Sequence, residues 1–358
     1  MKILYGVQGT GNGHISRARM MAKYFTEAAK TKTLEVTFLF TGRPEDQFFD
    51  MECFGDYLHR EGLSFVSLGG EVHYGKTLYA NKHIKFIRDV LRLDLSSYDL
   101  IVSDFEPVTA WAAKLQGKKV LGIGHQYAFA YDIPLAGASF LSQLIMRYFA
   151  PSSINIGLHW HHFGKTILPP IIDTELKARP TDGHVLVYLP FEDQEKVSAL
   201  LRCFPNQKFI QYSPELSNRT AGNIELRQPS HSGFKRDLSA AKSVICNTGF
   251  ELISECLQLN LPILTNPLRG QMEQLSNAEA LQQLGYATTL NMLDRNAIAQ
   301  WLALAEKPPS ITFPNVAKAL VNWLIQGDLD NPEQLCQQLW NDFNISHAQN
   351  EAPVISLG

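Results

Sequence analysis

Two rhythms of apolar positions alternate along the chain. MKILYGV (Met1 to Val7) is a short strand-forming run that ends in glycines, Ile15 to Ala29 repeats at helical spacing, and LEVTFLF (Leu34 to Phe40) is again continuously apolar. Continuous runs predict strands buried on both faces, and helical spacing between them predicts crossovers. The order recurs in Leu100 to Ser103, Val108 to Gln116 and Val120 to Gly124. Between Phe149 and Arg179 the periodicity fades through Pro151, the cluster HWHHF and Pro169-Pro170, where the chain is expected to cross between two units. A second alternation follows: strand His184 to Leu189, helix near Gln194 to Cys203, strands KFIQY and NIEL, helix near Phe234 to Ala241, strand SVIC, helix Phe250 to Leu259, strand PILT. Ser310 to Phe343 looks helical, and residues 344–358 carry no pattern. The class is α/β with two halves: 1–165, a linker at 166–180, 181–310, helices at 311–343 and a tail. Ligands of such halves sit at the carboxyl ends of strands, where the halves face one another.

With 358 residues, two domains can each bury a core. The 32 basic and 35 acidic residues give a net charge of −3, and 45% of positions are apolar, which leaves no global electrostatic case for nucleic acid and none for disorder. Five scattered cysteines form neither a zinc pattern nor a disulfide framework, so a reducing cytoplasm is expected. No stretch approaches the roughly 20 apolar residues of a membrane span, and any membrane contact is expected to be peripheral.

GTGNGH (Gly9 to His14) follows the first strand and opens a helix carrying Ser16, Arg17 and Arg19. Glycines let backbone amides approach a ligand, and a helix N-terminus favours negative charge. A dinucleotide fingerprint fails on spacing, because the third glycine should stand at residue 14, and the second strand lacks the acidic residue expected on an NAD ribose. His14 has two readings: a general base facing the crevice, or a histidine that caps the loop.

The most informative segment is Ser243 to Gly285, read as strand, Asn-Thr-Gly turn, helix, strand, polar loop and helix. Gly249 ends the turn at the helix start, where unpaired amides and the dipole suit a diphosphate. Glu251 and Glu255 stand four residues apart, away from the apolar face of Leu252, Ile253, Cys256 and Leu257; a carboxylate there could take two ribose hydroxyls, or the face could simply be solvated. The loop RGQMEQLSN concentrates Arg269, Gln271, Glu273, Gln274 and Asn277 after a buried strand, as sugar recognition requires.

From Lys2 to about Gly285, this segment and GTGNGHISRA resemble the signatures of GT-B glycosyltransferases of families 1 and 28, which include plant UDP-glycosyltransferases and the peptidoglycan lipid-intermediate N-acetylglucosaminyltransferase. The resemblance implies two Rossmann-like domains facing across a cleft, the first acceptor-side and the second binding a nucleotide sugar. It implies that Gly11 and Gly13 lie on the donor, that Thr248, Gly249 and Phe250 give amides to its phosphates, that Glu255 binds ribose, and that Glu273 and Gln274 hold sugar hydroxyls. Phe234 falls where the family contacts the base. His14 matches the base of the plant enzymes, and Asp104, in VSDFEP, matches the aspartate that orients it. The implied reaction is inverting, metal-independent transfer from a UDP-sugar to an acceptor hydroxyl, with no cofactor and with a lipid-linked or cell-surface glycan as one acceptor option. The loop LPFED (Leu189 to Asp193) departs from the family by lacking glycine, which puts its phosphate contacts in doubt. Rival readings are a sugar-nucleotide 2-epimerase of the same fold and a non-catalytic nucleotide-sugar-binding protein.

His125 and Gln126 follow the strand VLGIG and are candidates for the acceptor side, with a buried structural histidine as the alternative. His159, His161 and His162 suggest a metal, yet no cysteine or carboxylate nearby completes a site. Asp328-Leu329-Asp330 spells D-x-D but lies between C-terminal helices. Lys82 to Leu93 separates Lys82, Lys85, Arg88 and Arg92 from Phe86, Ile87, Val90, Leu91 and Leu93, a pattern that packs on a core or lies on an anionic membrane. The apolar stretch Ala138 to Ala150 adds to the membrane reading, which would place the protein at the inner face of the membrane.

Overall fold

Strand β1 (Lys2–Gln8) is buried from Ile3 onward, as its unbroken apolar run requires, and it is the pivot of the first sheet. The computed structural model describes residues 1–64, 67–68, 71–72, 77, 79, 81–327, 329 and 331–346. Beside β1 run β2 (Glu35–Thr41) and β3 (Leu58–His59); β4 (Ser67–Leu68) and β5 (Glu71–Val72) form a separate antiparallel pair. On the other side lie β6 (Leu100–Asp104), β7 (Leu121–Gly124), β8 (Ile154–Leu158) and β9 (Ile167–Leu168). The order is β3-β2-β1-β6-β7-β8-β9, and every pair is parallel.

The second sheet comprises β10 (Val185–Tyr188), β11 (Phe209–Tyr212), β12 (Arg219–Ala221), β13 (Ile224–Arg227), β14 (Ser243–Asn247), β15 (Ile263–Asn266) and β16 (Thr288–Thr289). Its order is β12-β13-β11-β10-β14-β15-β16, with only the edge strand β12 antiparallel. The strand order reverses beside β1 in one sheet and beside β10 in the other, and a crevice opens at such a point. Register matters here: Val7 pairs with Asp104, which sets that carboxylate level with the start of the glycine loop.

The chain departs from its sequence pattern in several places. The stretch expected to be a linker contributes β8 and β9, so the first sheet extends past residue 165; these strands are short and glycine- or proline-flanked, which hid them. The first helix begins at Asn12, three residues before its apolar spacing starts. Ser310 to Phe343 is not wholly helical: β17 (Ser310–Thr312) pairs with β18 (Asn344–Ser346), which also gives the start of the tail an ordered strand. Finally, Ile87 and Leu91 of the helix His83–Arg92 are exposed, while Val90 and Leu93 are buried.

One continuous apolar cluster runs from Ile3 and Tyr5 through Trp160 to Phe250 and Leu257, tying the two sheets together. Trp160 is fully buried, and its Nε1 donates to Ser254 Oγ at 2.8 Å. Truncating such a side chain costs about 3–5 kcal/mol. The helix Val316–Gln326 returns to pack on Asn12–Ala29, and Trp340 of the helix Pro332–Asn341 donates to Ile167 O at 2.6 Å.

Candidate active site

His14 stands in the first turn of the helix Asn12–Ala29, partly exposed, with Nδ1 2.8 Å from Oδ1 of the fully buried Asp104. A carboxylate can only accept, so this contact selects a proton on Nδ1, although the donor Nη2 of Arg17 also stands 2.9 Å from that nitrogen. Phe105, directly after Asp104, holds φ at 51°, a left-handed backbone that turns the chain sharply at the strand end. Its ring is packed against Tyr127 and Phe149, which offsets the strain.

Asp104 has a second partner. Arg17, one helical turn beyond His14 and buried, donates from Nε to Oδ2 at 2.8 Å and from Nη2 to Oδ1 at 2.6 Å. Burial pushes the Asp104 carboxyl upward, but the charges and hydrogen bonds of Arg17 and His14 outweigh it and hold the group below the usual carboxylate range. The Arg17 Nη1 pairs with Glu251 from the opposite helix Phe250–Gln258, so this guanidinium spans the cleft. Sequence reading named Arg17 only as a helix residue; its i, i+3 spacing from His14 was the available signal.

Beyond His14 Nε2 lies Gln126, whose Nε2 is 3.4 Å from the imidazole and donates to Glu273 Oε2 at 3.1 Å. His14, Asp104, Gln126 and Glu273 are thereby brought together from four separate segments. The Gln126 Oε1 is buried without a partner, as are Asn247 Oδ1 and Asn266 Oδ1 at the ends of β14 and β15. Unpaired polar atoms concentrated at strand ends suit a polar ligand. In the loop LPFED, Glu192 Oε1 accepts from Asn247 and Asn266 at 3.4 and 3.3 Å, and Asp193 caps the following helix.

Five expected site residues have other partners in this geometry. The Thr248 amide donates to Gln274 Oε1 at 3.2 Å, and the Gly249 amide to Asn247 O at 2.8 Å, so neither is free for a phosphate. Gln274 also accepts from the Leu268 amide at 2.9 Å, and its buried carboxamide oxygen clamps two loops rather than holding sugar hydroxyls. His125 is buried with its ring stacked on Phe250 at 4.0 Å and its nitrogens on Leu158 O and Asn277 Oδ1, so it joins the two halves. Gly13 does not face open space, because a Cβ there would strike the Glu251 carboxylate, whereas at Gly11 and Gly249 a Cβ would meet nothing within 4 Å.

The helix Phe250–Gln258 has no side-chain cap, which leaves the amides of Phe250 and Glu251 without a side-chain partner at its positive end. Glu255, one turn on, pairs with Lys235 and lines a cavity of about 250 Å³ together with Ser16, Arg19, His231 and Glu251. Phe234 lies edge-on between Tyr188 and Tyr212 at 5.4 and 5.0 Å, beside that region. The histidines of HWHHF do not converge: His159 is buried among aromatic rings, while His161 and His162 stack on each other. Among the described residues no group of three or more His, Cys, Asp or Glu could hold a metal ion. Asp328 and Asp330 lie outside the described residues. No helix of the described residues is long and apolar enough to cross a membrane.

The profile of the family described as Glycosyl transferase family 1 matches residues 1–305. Among solved structures, the spinosyn rhamnosyltransferase SpnG superposes with a TM-score of 0.56 at 13% identity, covering 95% of this chain and 100% of that one. The calicheamicin glycosyltransferase CalG4 gives 0.52 at 14% identity over 95% and 97%, and the glycosyltransferase SnogD from Streptomyces nogalater 0.50 at 14% over 95% and 99%. Identities this low carry the fold alone, which is the GT-B arrangement of two facing, parallel-dominated sheets. By sequence, 116 residues are 33% identical to DNA mismatch repair protein MutL of Klebsiella pneumoniae (strain 342). That match takes in 32% of this chain and spans 17% of the relative's length, so nothing of its activity is transferred.

Proposed function

The chain belongs to glycosyl transferase family 1 and is a glycosyltransferase; from that premise we propose that it moves a sugar from a nucleoside diphosphate, with UDP the expected carrier, to an acceptor hydroxyl with inversion. His14 Nε2 takes the acceptor proton as the acceptor oxygen attacks the anomeric carbon. That carbon passes through an oxocarbenium-like state while its bond to the diphosphate oxygen breaks on the opposite face. Asp104 stabilises the imidazolium that forms, and Arg17 keeps the carboxylate ionised and aimed. The departing diphosphate is met by the N-terminus of the helix Phe250–Gln258, with no cation needed. Glu251 does not oppose it electrostatically, since Arg17 neutralises it. Glu273 holds a sugar hydroxyl beside the base, and Glu255 in its cavity takes the ribose.

The observation that carries this reading is the 2.8 Å contact between His14 and Asp104, with Nε2 turned toward the cleft and Glu273 across it. The test is a thermal-shift panel of UDP, GDP, TDP, several UDP-sugars and NAD, followed by detection of released diphosphate with candidate acceptors. Stabilisation by nucleoside diphosphates and acceptor-dependent release are expected. Stabilisation by NAD alone, or interconversion of two UDP-sugars without acceptor, would overturn transfer.

Peripheral membrane contact belongs to the same proposal. The helix His83–Arg92 exposes Ile84, Ile87 and Leu91 at 78, 55 and 69%, flanked by Lys82, Lys85, Arg88 and Arg92. The helix Phe140–Tyr148 exposes Phe140, Leu141, Leu144 and Tyr148. Both lie beside the helix Pro107–Leu115, one through Val90 and Leu93 and the other through Met146 and Phe149. Two exposed apolar stripes, the first flanked by four basic residues and the second carrying Arg147, suit an anionic lipid surface, the inner face of a membrane, and hence a lipid-linked acceptor.

A further inference from the structure

We propose that Arg43 closes on the donor diphosphate from the side opposite the helix Phe250–Gln258, as the cation that the glycine-free loop Leu189 to Asp193 does not supply. This rests on the transfer reading above. Arg43 lies just past β2, after Gly42, whose φ is 94° and whose absent Cβ would stand 2.6 Å from Thr10 Oγ1. That close approach lays the turn against the loop Gly9 to Gly13. The guanidinium covers the ring of Phe48, with its carbon 4.5 Å from the centroid. Its Nε and Nη2 are buried and make no hydrogen bond.

Other part-buried arginines of the protein are satisfied: Arg17 by Asp104 and Glu251, Arg227 by Glu225 and Asp237, and Arg19 and Arg60 by backbone carbonyls. Arg43 forms no ion pair among the described residues. Burial draws it down to about 10, Arg19 adds a like charge, and only the Tyr188 hydroxyl pulls the other way. A half-buried guanidinium that meets an aromatic ring but no anion leaves a place for a ligand that brings the charge. The remaining polar groups at this spot fit the same ligand. Tyr188, at the end of β10, accepts from Asn12 Nδ2 at 3.2 Å, and Asn12 Oδ1 is buried without a partner. Of the carboxylates of the loop after Tyr188, Glu192 is held by Asn247 and Asn266 at the ends of β14 and β15, and Asp193 caps the following helix.

Position separates the diphosphate from the acceptor. Arg43 is on the β2 side of β1, facing β10, whereas His14, Gln126 and Glu273 gather on the β6 side. An acceptor hydroxyl must reach His14; the nucleotide, by the transfer reading, lies toward Phe234 and Glu255, and Tyr188, in contact with Phe234, is the group that acts on Arg43 from that side. A guanidinium reaching a phosphate there makes charge-assisted, two-pronged contacts that a neutral side chain cannot.

The experiment is calorimetric titration of UDP, GDP and TDP, and of uridine, guanosine and thymidine, into the wild type, Arg43→Gln and Arg43→Lys. For the diphosphate that binds the wild type, affinity should fall about tenfold to a hundredfold in Arg43→Gln and less in Arg43→Lys, with nucleoside affinity unchanged. The ligand-free melting temperature of Arg43→Gln should hold or rise, since an unpaired charge has gone. Diphosphate affinity within twofold of wild type would overturn the role of Arg43 and leave sugar transfer standing. So would equal weakening of nucleoside and diphosphate, or a rise in the acceptor KM alone. A wild type that binds no nucleoside diphosphate would instead overturn the transfer reading, and this inference with it.

Discussion

Arg17 grips both oxygens of Asp104, at 2.8 and 2.6 Å, and reaches Glu251 across the cleft with its remaining nitrogen. Asp104→Asn therefore removes one of the two anions on a buried guanidinium, leaving Glu251, as well as the partner of His14. Loss of about 3–5 kcal/mol of stability is expected, as for a buried pair broken on one side. Adding Arg17→Met should recover most of the melting temperature but none of the turnover, because the imidazolium still lacks its carboxylate. A double mutant no more stable than Asp104→Asn alone would show that the pair is not the source of the loss.

His14→Ala should lower kcat by about 10²- to 10⁴-fold, the usual worth of a positioned general base. Its side chain is partly exposed and supports no core, so the fold and nucleotide affinity should be unaffected. The comparison is steady-state kcat against a titrated Kd for UDP. A loss in both together would assign His14 to binding instead of proton transfer.

Three glycines around the dyad should respond differently to an added methyl. At Gly11 it meets open space, so Gly11→Ala should melt like wild type yet weaken donor binding. At Gly13 it strikes Glu251, so Gly13→Ala should force the halves apart and lower both stability and kcat/KM. At Gly124 the methyl would lie 3.1 Å from Asp104 Oδ1, which crowds the carboxylate and should reduce kcat with little change in KM. Melting curves and kinetics on the three variants separate these outcomes; indistinguishable behaviour of Gly11→Ala and Gly13→Ala would contradict the placement of Glu251.

The strands of both sheets were legible because parallel strands buried on two faces leave unbroken apolar runs, as in LEVTFLF and SVIC. The strands β8 and β9 were not, since Asn155 and Gly157 interrupt one and the other is two residues long, and neither were β3, β12 and β16, each only two or three residues long. The dyad could be matched by position, yet Arg17 could not be linked to Asp104, because 87 residues separate them in sequence and only the β1–β6 register joins them. The same limit hid the partners of His125 and Gln274. Both stand where ligand contacts would be expected, but a side chain's partner at a strand end depends on which distant loop covers it, here those of Asn277, Thr248 and Leu268.

Ile84, Ile87 and Leu91 form one stripe at i, i+3 and i+7, and replacing all three by Ser should leave the fold intact because none is buried. The wild type should co-sediment with vesicles containing anionic phosphatidylglycerol, less so as salt is raised. The triple variant should stay in the supernatant while keeping wild-type turnover on a water-soluble acceptor. Equal sedimentation of both proteins would remove this helix from any membrane surface.

Acid should destabilise the protein in two stages of different origin. His159 is held well below its ordinary value by burial, with His125 and His161 pushing the same way, so it is neutral in the fold. Burial likewise lowers His125 despite the pull of Glu273. Once the pH drops below about 6.5 the unfolded chain takes up protons that these buried rings refuse, and stability falls. Asp104 has the opposite dependence on charge but the same direction in pH. Its carboxylate lies below the unfolded value, so its contribution persists above about pH 4 and is lost as the pH falls through that range and lower. Glu106, raised by burial, works against both by gaining a proton in the fold first. Only a variant comparison isolates the first stage. His159→Phe keeps a ring among Trp160, Phe163 and Phe250 and removes the titration, so its stability should fall less than that of wild type between about pH 6.5 and 5. Chemical denaturation at stepped pH gives the two curves, and parallel curves across that interval would rule out His159 as a source of the first stage.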